Sequence, residues 1–465
     1  MERREFLRNA ACASLALMAP PRLGRAQPQG DDRLWVFFDA NGAWDPTLFC
    51  DPHAHPAFVS GSVYGEADIA TNAHGVRYAP KASGEPYTVA GTNFFEKFAD
   101  QLLVINGFDA RTNNHDVGSR YVWSGRRGNT HPTLAAVIAA AHLGVAPSAV
   151  PLAFLSTGGF DRTNKLVPVT RISRTEPLLK LARPGLRRPD RPDEVYHHPE
   201  VMDLIKARQQ ARTTRLLEAQ GLPHLRAALT KLQSARASED ALAAILAPLD
   251  SIPEVARNEP NPLLDPARTA MAAMAAGICK CANLSMRGFD THSDHDDLED
   301  GHRTRLQELF TAIDYVMTLS TTLGFVDRLV VVVGSDFGRT KYNRPVLQEG
   351  DAPTGAGKDH WPITSMMLMG RDVPPGVVGE TRVVDELFGV QALPVRRENG
   401  SDIVTAAEVV PGESTLIGPV HVHHALRCLA GLRDHPLARR YAVHRAGDLP
   451  LPLLPNAPGW ERFSG

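Results

Sequence analysis

The 465-residue sequence has little of several features that would narrow its function. It contains five cysteines, 6% aromatic residues and a net charge of only −2 at pH 7. This charge balance argues against the strongly basic surface of a nucleic-acid-binding protein. Neither the Gly-x-Gly-x-x-Gly pattern of dinucleotide-binding folds nor the Walker A pattern of P-loop enzymes occurs in the chain. The sequence therefore gives no support for a nucleotide cofactor.

The few cysteines do not form a recognisable metal motif. Cys279 and Cys281 are two residues apart on a predicted helix over 267–286, where their side chains would point to different faces. Their spacing is not that of a zinc site. An exported protein would be free to form disulfides, but we expect Cys50, Cys279, Cys281 and Cys428 to be buried free thiols.

The chain also lacks an apolar run long enough to span a bilayer near its start. The apolar stretch at 10–19 is too short for that, and it follows Arg3, Arg4, Phe6 and Leu7. This arrangement is typical of an export signal and resembles the twin-arginine type in particular. We predict that residues 1–26 are such a signal and that the twin-arginine translocase is a partner during export. The mature protein would then be periplasmic or secreted, with no stable membrane span.

The rest of the chain alternates short apolar runs with helical patterns. Such alternation is typical of an α/β domain. The run at 328–334 is β-branched without polar alternation, as a strand buried on both faces of a parallel sheet requires. We predict a single domain over 27–465, with a mostly parallel sheet, helices on both faces and a helical insertion or cap at 176–260. The predicted strands lie at 34–38, 101–105, 151–155, 328–334 and 363–369.

Candidate ligands are densest in the loop that follows the predicted helix 267–286. Carboxylates and neutral imidazoles bind Zn²⁺, Mn²⁺ and related ions. Alternate residues of a loop can face one centre, so Asp290 and His292 form a candidate pair. Asp296 and the acids after it are better explained as charges at the start of the next helix.

Two later loops add further candidates. Asp336 directly follows the buried run 328–334, where an unpaired carboxylate would be costly. Arg339 offers a planar fork suited to phosphate, sulfate or carboxylate, or forms a salt bridge with Asp336 inside the turn. His360 follows the Gly-rich segment 354–358, which either lets the backbone approach a ligand or is a surface loop. His115, on another loop, either enters the same crevice or is exposed.

Taken together, these motifs resemble the DUF1501 family over roughly residues 33–430. The resemblance is carried by Gly42, Trp44 and Asp45, by His115 with Trp123 to Gly125, and by the segments 288–292, 335–339 and 358–360. The family is uncharacterised and is similar to the alkaline phosphatase/sulfatase superfamily. Members of that superfamily have an α/β core, and commonly two divalent metals held by Asp and His at strand ends.

The resemblance implies a set of metal ligands and catalytic residues. One divalent metal (Zn, Mn, Ca or Mg) would be held by Asp290, His292 and His360, and a second by Asp45 (or Asp39) and Asp336. Phe337 stands where the superfamily's second site usually has a histidine. Thr47 is the hydroxyl candidate for a nucleophile in the first loop, and Arg339 would hold the anionic group of the substrate.

These expectations favour an exported, metal-dependent hydrolase of phosphate or sulfate esters. Its substrate would be a small anionic molecule. Two alternatives remain open at this point. The chain could be a non-catalytic exported protein that binds a ligand or partner on the same fold, which the departure at Phe337 favours. It could also be a metalloenzyme of another class, such as a redox protein.

Overall fold

The structure is a computed structural model. It describes residues 32–143, 150, 152–188, 191–297, 301–343, 356–404, 413–443 and 451–454. The predicted export signal at 1–26 and part of the Gly-rich segment, 354–355, lie outside the described residues. Arg33–Gly465 is one compact unit. Within the described residues, no helix is both long and apolar enough to cross a membrane.

The centre of this unit is an eight-stranded sheet. Its strands are β1 (Leu34–Ala40), β2 (Leu102–Asp109), β3 (Phe154–Ser156), β4 (Val169–Arg171), β5 (Cys281–Met286), β6 (Leu329–Gly334), β7 (Ile363–Gly370) and β8 (Gly376–Val378). Their spatial order is β8-β2-β7-β6-β1-β5-β3-β4, and β7 runs antiparallel to both neighbours while the other described pairs are parallel. The prediction of a mixed α/β fold with a mostly parallel sheet is therefore confirmed.

The apolar runs form the central strands because helices cover both faces of the sheet. Along β1, Val36 and Phe38 pack into the hydrophobic core on one face, while Trp35 and Phe37 pack into the core on the other. Every residue of β1 and β6 is buried, so neither strand needs polar alternation. Helices on both faces were predicted, and this is confirmed.

The helices divide between the two faces as their apolar residues require. The described helices are α1 (Phe94–Lys97), α2 (His115–Ser124), α3 (Leu134–Leu143), α4 (Glu176–Ala182), α5 (Pro199–Ala219), α6 (Pro223–Ala243), α7 (Leu246–Asp250), α8 (Leu264–Ala275), α9 (His302–Thr322), α10 (Pro419–Leu429) and α11 (Pro436–Arg440). Side chains of α8 and α9 join the core that contains Val36, and side chains of α2, α3 and α10 join the core that contains Trp35.

The segment proposed as an insertion, 176–260, contains helices α4 to α7. A short antiparallel hairpin, Leu186–Arg188 with Arg191–Val195, precedes α5. Most described side chains of α5 are exposed, and Thr213 is its one fully buried residue. The helical content agrees with the expectation, whereas the domain boundaries remain a prediction.

The predicted helix over 267–286 is wrong in its second half. Helix α8 ends at Ala275, Gly277 follows with a left-handed φ of 73°, and β5 begins at Cys281. The tertiary context explains the difference, because β5 pairs in parallel with β1 on one side and β3 on the other. The helix therefore ends at Ala275, and the residues from Cys281 onwards form a central strand instead. All four described cysteines are buried free thiols, as expected: Cys50, Cys279, Cys281 and Cys428.

A separate hairpin pairs Gly338–Tyr342 with Lys358–Trp361, and Arg339 lies opposite His360. Because β7 runs against the other strands, its first residue lies at the edge where the parallel strands end. The hairpin strand just before β7 is therefore at that edge too. Smaller pairs are Ala70–Thr71 with Arg77–Tyr78, Thr88–Val89 with Thr92–Asn93, Thr381–Arg382 with Gln391–Ala392, and Val395–Arg396 with Ser414–Thr415.

Candidate functional site

Four segments bring acids and histidines to the carboxyl edge of the sheet. The loop after β2 leads to His115 at the start of α2, and the loop after β5 carries Asp290. Asp336 follows β6, and the hairpin delivers His360 from the other side. Ligand sites of open α/β sheets lie at this edge.

Five of these side chains form a group that we call the exposed cluster: His115, Asp290, His292, Asp359 and His360. The Nε2 atoms of His115 and His360 are 3.1 Å apart, and His360 Nε2 is 3.1 Å from an Asp290 oxygen. His115 Nε2 lies 3.4 Å from the other Asp290 oxygen. Candidate ligand atoms of His115, Asp290 and His360 all lie within 4.8 Å of one another. A second group, His292, Asp359 and His360, meets the same limit.

The partners of the two imidazoles fix which nitrogen faces the centre of the cluster. His115 Nδ1 is hydrogen bonded to the Asp336 carboxylate, and His360 Nδ1 is 3.0 Å from the Asn113 carbonyl oxygen. Both partners can only accept, so each Nδ1 carries a proton that it donates. In the neutral rings, each Nε2 then presents a lone pair towards the other and towards Asp290. A cation between these atoms would satisfy all three, so the donor set fits a metal ion.

Asp336 forms a hydrogen bond with a histidine of the exposed cluster but belongs to neither candidate ligand group. Its buried carboxylate accepts hydrogen bonds from the Ala43 amide (2.6 Å) and the Ser335 hydroxyl (2.9 Å), as well as from His115. The bond to Asp336 raises the pKa of His115, with burial opposing it. Carboxylates that orient a ligating histidine in this way are common around metals. The arrangement differs from the expected role of Asp336 as a direct ligand.

Phe337 occupies the position where a superfamily histidine was expected. Its ring centroid lies 4.8 Å from that of His115 and 4.8 Å from that of His360. The ring is fully buried and packs against both imidazoles. It therefore supports the two histidines by packing, without offering a ligand atom.

Arg339 ties three loops together. Its guanidinium donates to the carbonyl oxygens of Ala43 (2.8 Å), Lys358 (3.0 Å) and Phe289 (2.7 Å), and to that of Gly42. It also donates to Asp290 (2.8 Å). The salt bridge is thus with Asp290, not with Asp336. The side chain is buried, and its bonds favour a positioning role over the expected capture of an anion.

These bonds also set the charge of Asp290. Its partial burial by itself would raise the pKa of the carboxyl, but the hydrogen bond from Arg339 and the positive charge of that guanidinium hold the pKa well below its usual range. Asp290 is therefore an anion at any neutral pH. A half-exposed carboxylate that faces two lone pairs is a strong attractor for a cation.

A second set of acids and histidines lies at the same edge of the sheet. It shares the loop after β5 and the hairpin with the exposed cluster. We call it the buried network: Asp45, Thr47, Thr291, His295, His302 and Lys358. Asp45 accepts from the Lys358 ammonium, from His295 Nε2 (3.0 Å) and from the Thr47 hydroxyl (2.7 Å). Asp45 is 1% exposed and Lys358 is 0% exposed.

The hydrogen bonds of this network run in one direction. The Asp45 amide donates to His302 Nε2 (2.7 Å), so the proton of that ring is on Nδ1, which faces the Thr291 hydroxyl (3.1 Å). Thr291 in turn donates to His295 Nδ1 (2.6 Å), and His295 Nε2 donates to Asp45. Burial lowers the pKa of both histidines, so both rings are neutral in this arrangement.

The buried network accounts for two predicted site residues. Burial alone would raise the pKa of Asp45, but Lys358 holds it well below its usual range. Both carboxylate oxygens of Asp45 are occupied, and Asp45 belongs to neither candidate ligand group among the described residues. The Thr47 hydroxyl is buried and donates to Asp45. This geometry favours structural roles for both, in place of the expected ligand and nucleophile.

Asp39, the alternative to Asp45, is a third buried acid at this edge. It accepts from the Trp123 indole (3.0 Å) and the Ser285 hydroxyl (2.9 Å), and no cation among the described residues forms an ion pair with it. Burial, together with the charge of Asp336, raises the pKa of Asp39 to about 7. A Cβ at Gly159 would lie 2.2 Å from the Asp39 carboxylate, so this close packing requires glycine there.

The structure thus brings together Asp290, His292 and His360 of the predicted ligands. Sequence reasoning left His115 undecided and did not single out Asp359 as a ligand. One signal for His115 was available: Asn114 caps α2 by accepting from the Val117 amide (3.1 Å). An Asn directly before a helical pattern predicts that the next residue starts a helix at a strand end.

Several solved structures resemble the chain at low identity. An alkaline phosphatase from the Antarctic bacterium TAB5 is 10% identical, with a TM-score of 0.33 over 75% of this chain and 95% of its own. Ps i-CgsB, in complex with k-i-k-neocarrahexaose, is 8% identical, with a TM-score of 0.35 over 91% of this chain and 75% of its own. BT1596, a 2-O GAG sulfatase, is 9% identical, with a TM-score of 0.30 over 86% and 71%.

The sequence itself has a clear family match. No curated protein matches the chain. Residues 81–387, more than half of the chain, match the family model described as "Protein of unknown function (DUF1501)". This range includes the whole exposed cluster, and the resemblance stated from the sequence motifs is confirmed. The chain belongs to the DUF1501 family.

Proposed function

We propose that the chain is a metal-dependent hydrolase that acts on a phosphate or sulfate ester of a small anionic substrate. The observation that carries the proposal is the meeting of His115 Nε2, His360 Nε2 and the Asp290 carboxylate within 3.4 Å of one another. Two imidazoles and one carboxylate suit Zn²⁺ or Mn²⁺. Ca²⁺ and Mg²⁺ prefer all-oxygen ligands. Of the four metals expected from the sequence, this donor set therefore favours Zn²⁺ and Mn²⁺.

The group with His115 is preferred over the overlapping group with His292 and Asp359 because its imidazoles are held in place. His115 is held by Asp336 and His360 by Asn113. The side chains of His292 and Asp359 are 47% and 65% exposed and lie 3.6 Å apart. Fixed ligands bind a metal with less loss of side-chain entropy.

The roles of the other residues follow from their contacts. A bound divalent cation would polarise the ester and neutralise charge that develops on it. Arg339 keeps Asp290 ionised and in position, and Asp336 keeps the His115 lone pair directed at the cluster. His292 Nε2 lies 3.1 Å from Asp290 and is half exposed, so it can give a proton to a leaving group or take one from water.

The test is metal analysis of the purified protein, followed by assays on aryl phosphate and aryl sulfate esters. We expect about one equivalent of Zn²⁺ or Mn²⁺ to bind, and we expect hydrolysis that chelators abolish. His360→Ala and Asp290→Ala should lose both properties. His74→Ala, which alters an exposed His–Asp pair elsewhere, is the matched control and should lose neither. Metal-free activity, or activity that survives both cluster variants, would contradict the proposal.

The same donor set favours one second candidate, a redox enzyme. Two histidines and one carboxylate are also the ligands of many non-haem Fe(II) enzymes. The metal distinguishes the candidates. If the anaerobically purified protein holds iron in preference to zinc, and zinc-loaded protein hydrolyses neither ester, the redox alternative replaces the hydrolase.

We also propose that the protein is exported through the twin-arginine route to the periplasm or beyond. Arg3 and Arg4, followed by Phe6, Leu7 and the apolar stretch 10–19, support this. Export of a folded chain would let the metal be loaded first. Replacing both arginines by lysine should leave the full-length protein in the cytoplasmic fraction, and unchanged export of this variant would contradict the route.

A further inference from the structure

A cleft of about 850 Å³ opens at the same edge of the sheet as the exposed cluster. It is lined by the turn after β3 (157–159), the end of β5 with the residues that follow (285–288), the segment 172–176 and parts of 254–268. Gly288 in its wall is two residues from Asp290. Two residues of chain span at most about 7 Å, so the cleft and the exposed cluster are neighbours.

Among the described residues, three arginines of the cleft form no direct ion pair, although the charge of Glu176 is within electrostatic reach of Arg257 and Arg174. Arg174, Arg257 and Arg287 are exposed, and none of them forms an ion pair or hydrogen bond with another residue in the part of the chain that the structure describes. The other two arginines of the lining are engaged. Arg268 donates to backbone carbonyl oxygens, among them that of Pro253 (2.7 Å), and Arg305 pairs with Glu308 (2.8 Å).

The acids of the cleft are mostly committed to other contacts. Glu176 pairs with Lys180 (2.8 Å), Asp265 accepts from the Thr175 amide (3.0 Å), and Glu259 accepts from the Asn261 amide (3.1 Å). Glu254 is exposed. The lining carries five arginines against four acids, and three of these arginines form no ion pair among the described residues, so an anionic ligand is favoured at their guanidinium groups.

We infer that this cleft binds the remainder of a polyanionic substrate. The ligand is an organic molecule with at least two sulfate, phosphate or carboxylate groups. One group lies at the exposed cluster, and Arg174, Arg257 and Arg287 hold the others. The volume is that of a site for an organic ligand rather than a single inorganic ion. The reaction at the first group rests on the proposed function, whereas anion binding in the cleft does not.

The experiment measures binding of sucrose octasulfate by isothermal titration calorimetry, in low salt with EDTA present. EDTA makes the result independent of any metal. The test variant is Arg174→Gln/Arg257→Gln/Arg287→Gln, and the matched control is Arg208→Gln/Arg212→Gln/Arg215→Gln. The control arginines are equally exposed but lie on α5, outside the cleft. Circular dichroism and thermal melting verify that both variants are folded.

The cleft variant should bind sucrose octasulfate at least tenfold more weakly than the wild type, while the control variant should bind it as the wild type does. Inorganic sulfate should bind the wild type at least tenfold more weakly than the polyanion. Equal losses in the two variants, no loss in the cleft variant, or sulfate binding as tight as the polyanion would each overturn the inference.

His360→Ala separates this inference from the proposed function. With EDTA present the exposed cluster holds no metal and therefore no anionic group. The variant leaves the cleft arginines in place, so under this condition it should bind sucrose octasulfate as the wild type does. A protein that binds the polyanion but no metal would sink the hydrolase and keep the cleft. A protein that binds metal and cleaves esters without binding the polyanion would do the reverse.

Discussion

The buried network and the exposed cluster contain acids and histidines at the same edge of the sheet. They differ in whether each polar atom has a hydrogen-bond partner. In the buried network, Lys358 neutralises Asp45, His302 donates a hydrogen bond to the Thr291 hydroxyl, and His295 donates one to Asp45. In the exposed cluster, the Nε2 atoms of His115 and His360 face each other with no proton assigned between them. A complete set of donors and acceptors marks a structural role, and facing lone pairs with no donor between them mark a binding role.

The two regions even share one loop. His292 lies in the exposed cluster and His295, three residues later, in the buried network. What separates them is burial, since His295 is inaccessible and His292 is half exposed. If the comparison is right, damage to one region should appear as lost stability and damage to the other as lost metal binding.

The largest effect is expected when the cation is removed from the buried network. Lys358→Met leaves the Asp45 carboxylate buried beside neutral groups, which should lower the free energy of unfolding by about 3–5 kcal/mol. Urea denaturation at pH 7 measures it. Adding Asp45→Asn to this variant removes the unpaired charge and should restore part of the loss. A loss under about 1 kcal/mol in the single variant would contradict the structural role of the pair.

A large effect of opposite sign is expected when metal is added to the exposed cluster. Zn²⁺ at about 100 times its dissociation constant should stabilise the folded protein by about 2.7 kcal/mol. Thermal melts with and without Zn²⁺ measure the shift, which His360→Ala should abolish without lowering the stability of the metal-free protein. If metal-free His360→Ala lost as much stability as Lys358→Met does, the exposed cluster would have a structural role.

Asp39 tests what a buried acid does when no cation accompanies it. The pKa of Asp39 is raised from 3.8 to about 7, so its protonated form favours folding and this contribution is lost as pH rises from about 4 to 7. Asp39→Asn should therefore stabilise the protein more at pH 8 than at pH 5, by about 2 kcal/mol. Denaturant unfolding at the two pH values measures the difference. A pH-independent effect would mean that Asp39 is already ionised at pH 5.

A smaller effect is expected from the carboxylate behind His115. In Asp336→Asn the new amide can donate to His115 Nδ1, which moves the ring proton to Nε2 and removes the lone pair from the exposed cluster. Zinc affinity should fall about tenfold, equivalent to ~1.4 kcal/mol. A competition titration with a chelating dye measures it. If the zinc affinity equalled that of the wild type, Asp336 would have no role in metal binding.

The smallest effect should come from a His–Asp pair that belongs to neither region. His74 and Asp100 are 2.8 Å apart, with the Asp100 side chain 92% exposed. His74→Ala should change the free energy of unfolding by less than about 1 kcal/mol, because exposed ion pairs contribute little. It should leave zinc affinity unchanged. A zinc effect in this variant would show that the metal measurements report surface histidines.

Much of the fold could be predicted from the sequence, because β1 and β6 are continuous apolar runs that require burial on both faces. Strand β5 could not be. Its sequence Cys-Ala-Asn-Leu-Ser-Met is not β-branched and comes shortly after the Ala-rich α8, so only its pairing with β1 and β3 makes it a strand.

The candidate site was predicted at the level of loops but not at the level of side chains. Spacing placed Asp45 and Asp336 at strand ends, where the structure has them, whereas Asp290 was expected after a helix and follows strand β5 instead. It could not tell which carboxylate would meet a buried lysine, which would stand behind a histidine and which would remain half exposed. That assignment depends on Lys358 and His115, which are far from these acids in the sequence.

The hairpin that pairs Arg339 with His360 has a consequence for how this site can vary. Successive side chains of a strand point to opposite faces, so a shift of pairing by one residue would turn His360 away from Asp290. The site therefore cannot be tuned in small steps from this side. Insertions in the hairpin connection are tolerable only if the pairing of Arg339 with His360 survives. Only this one register of the hairpin places His360 beside Asp290.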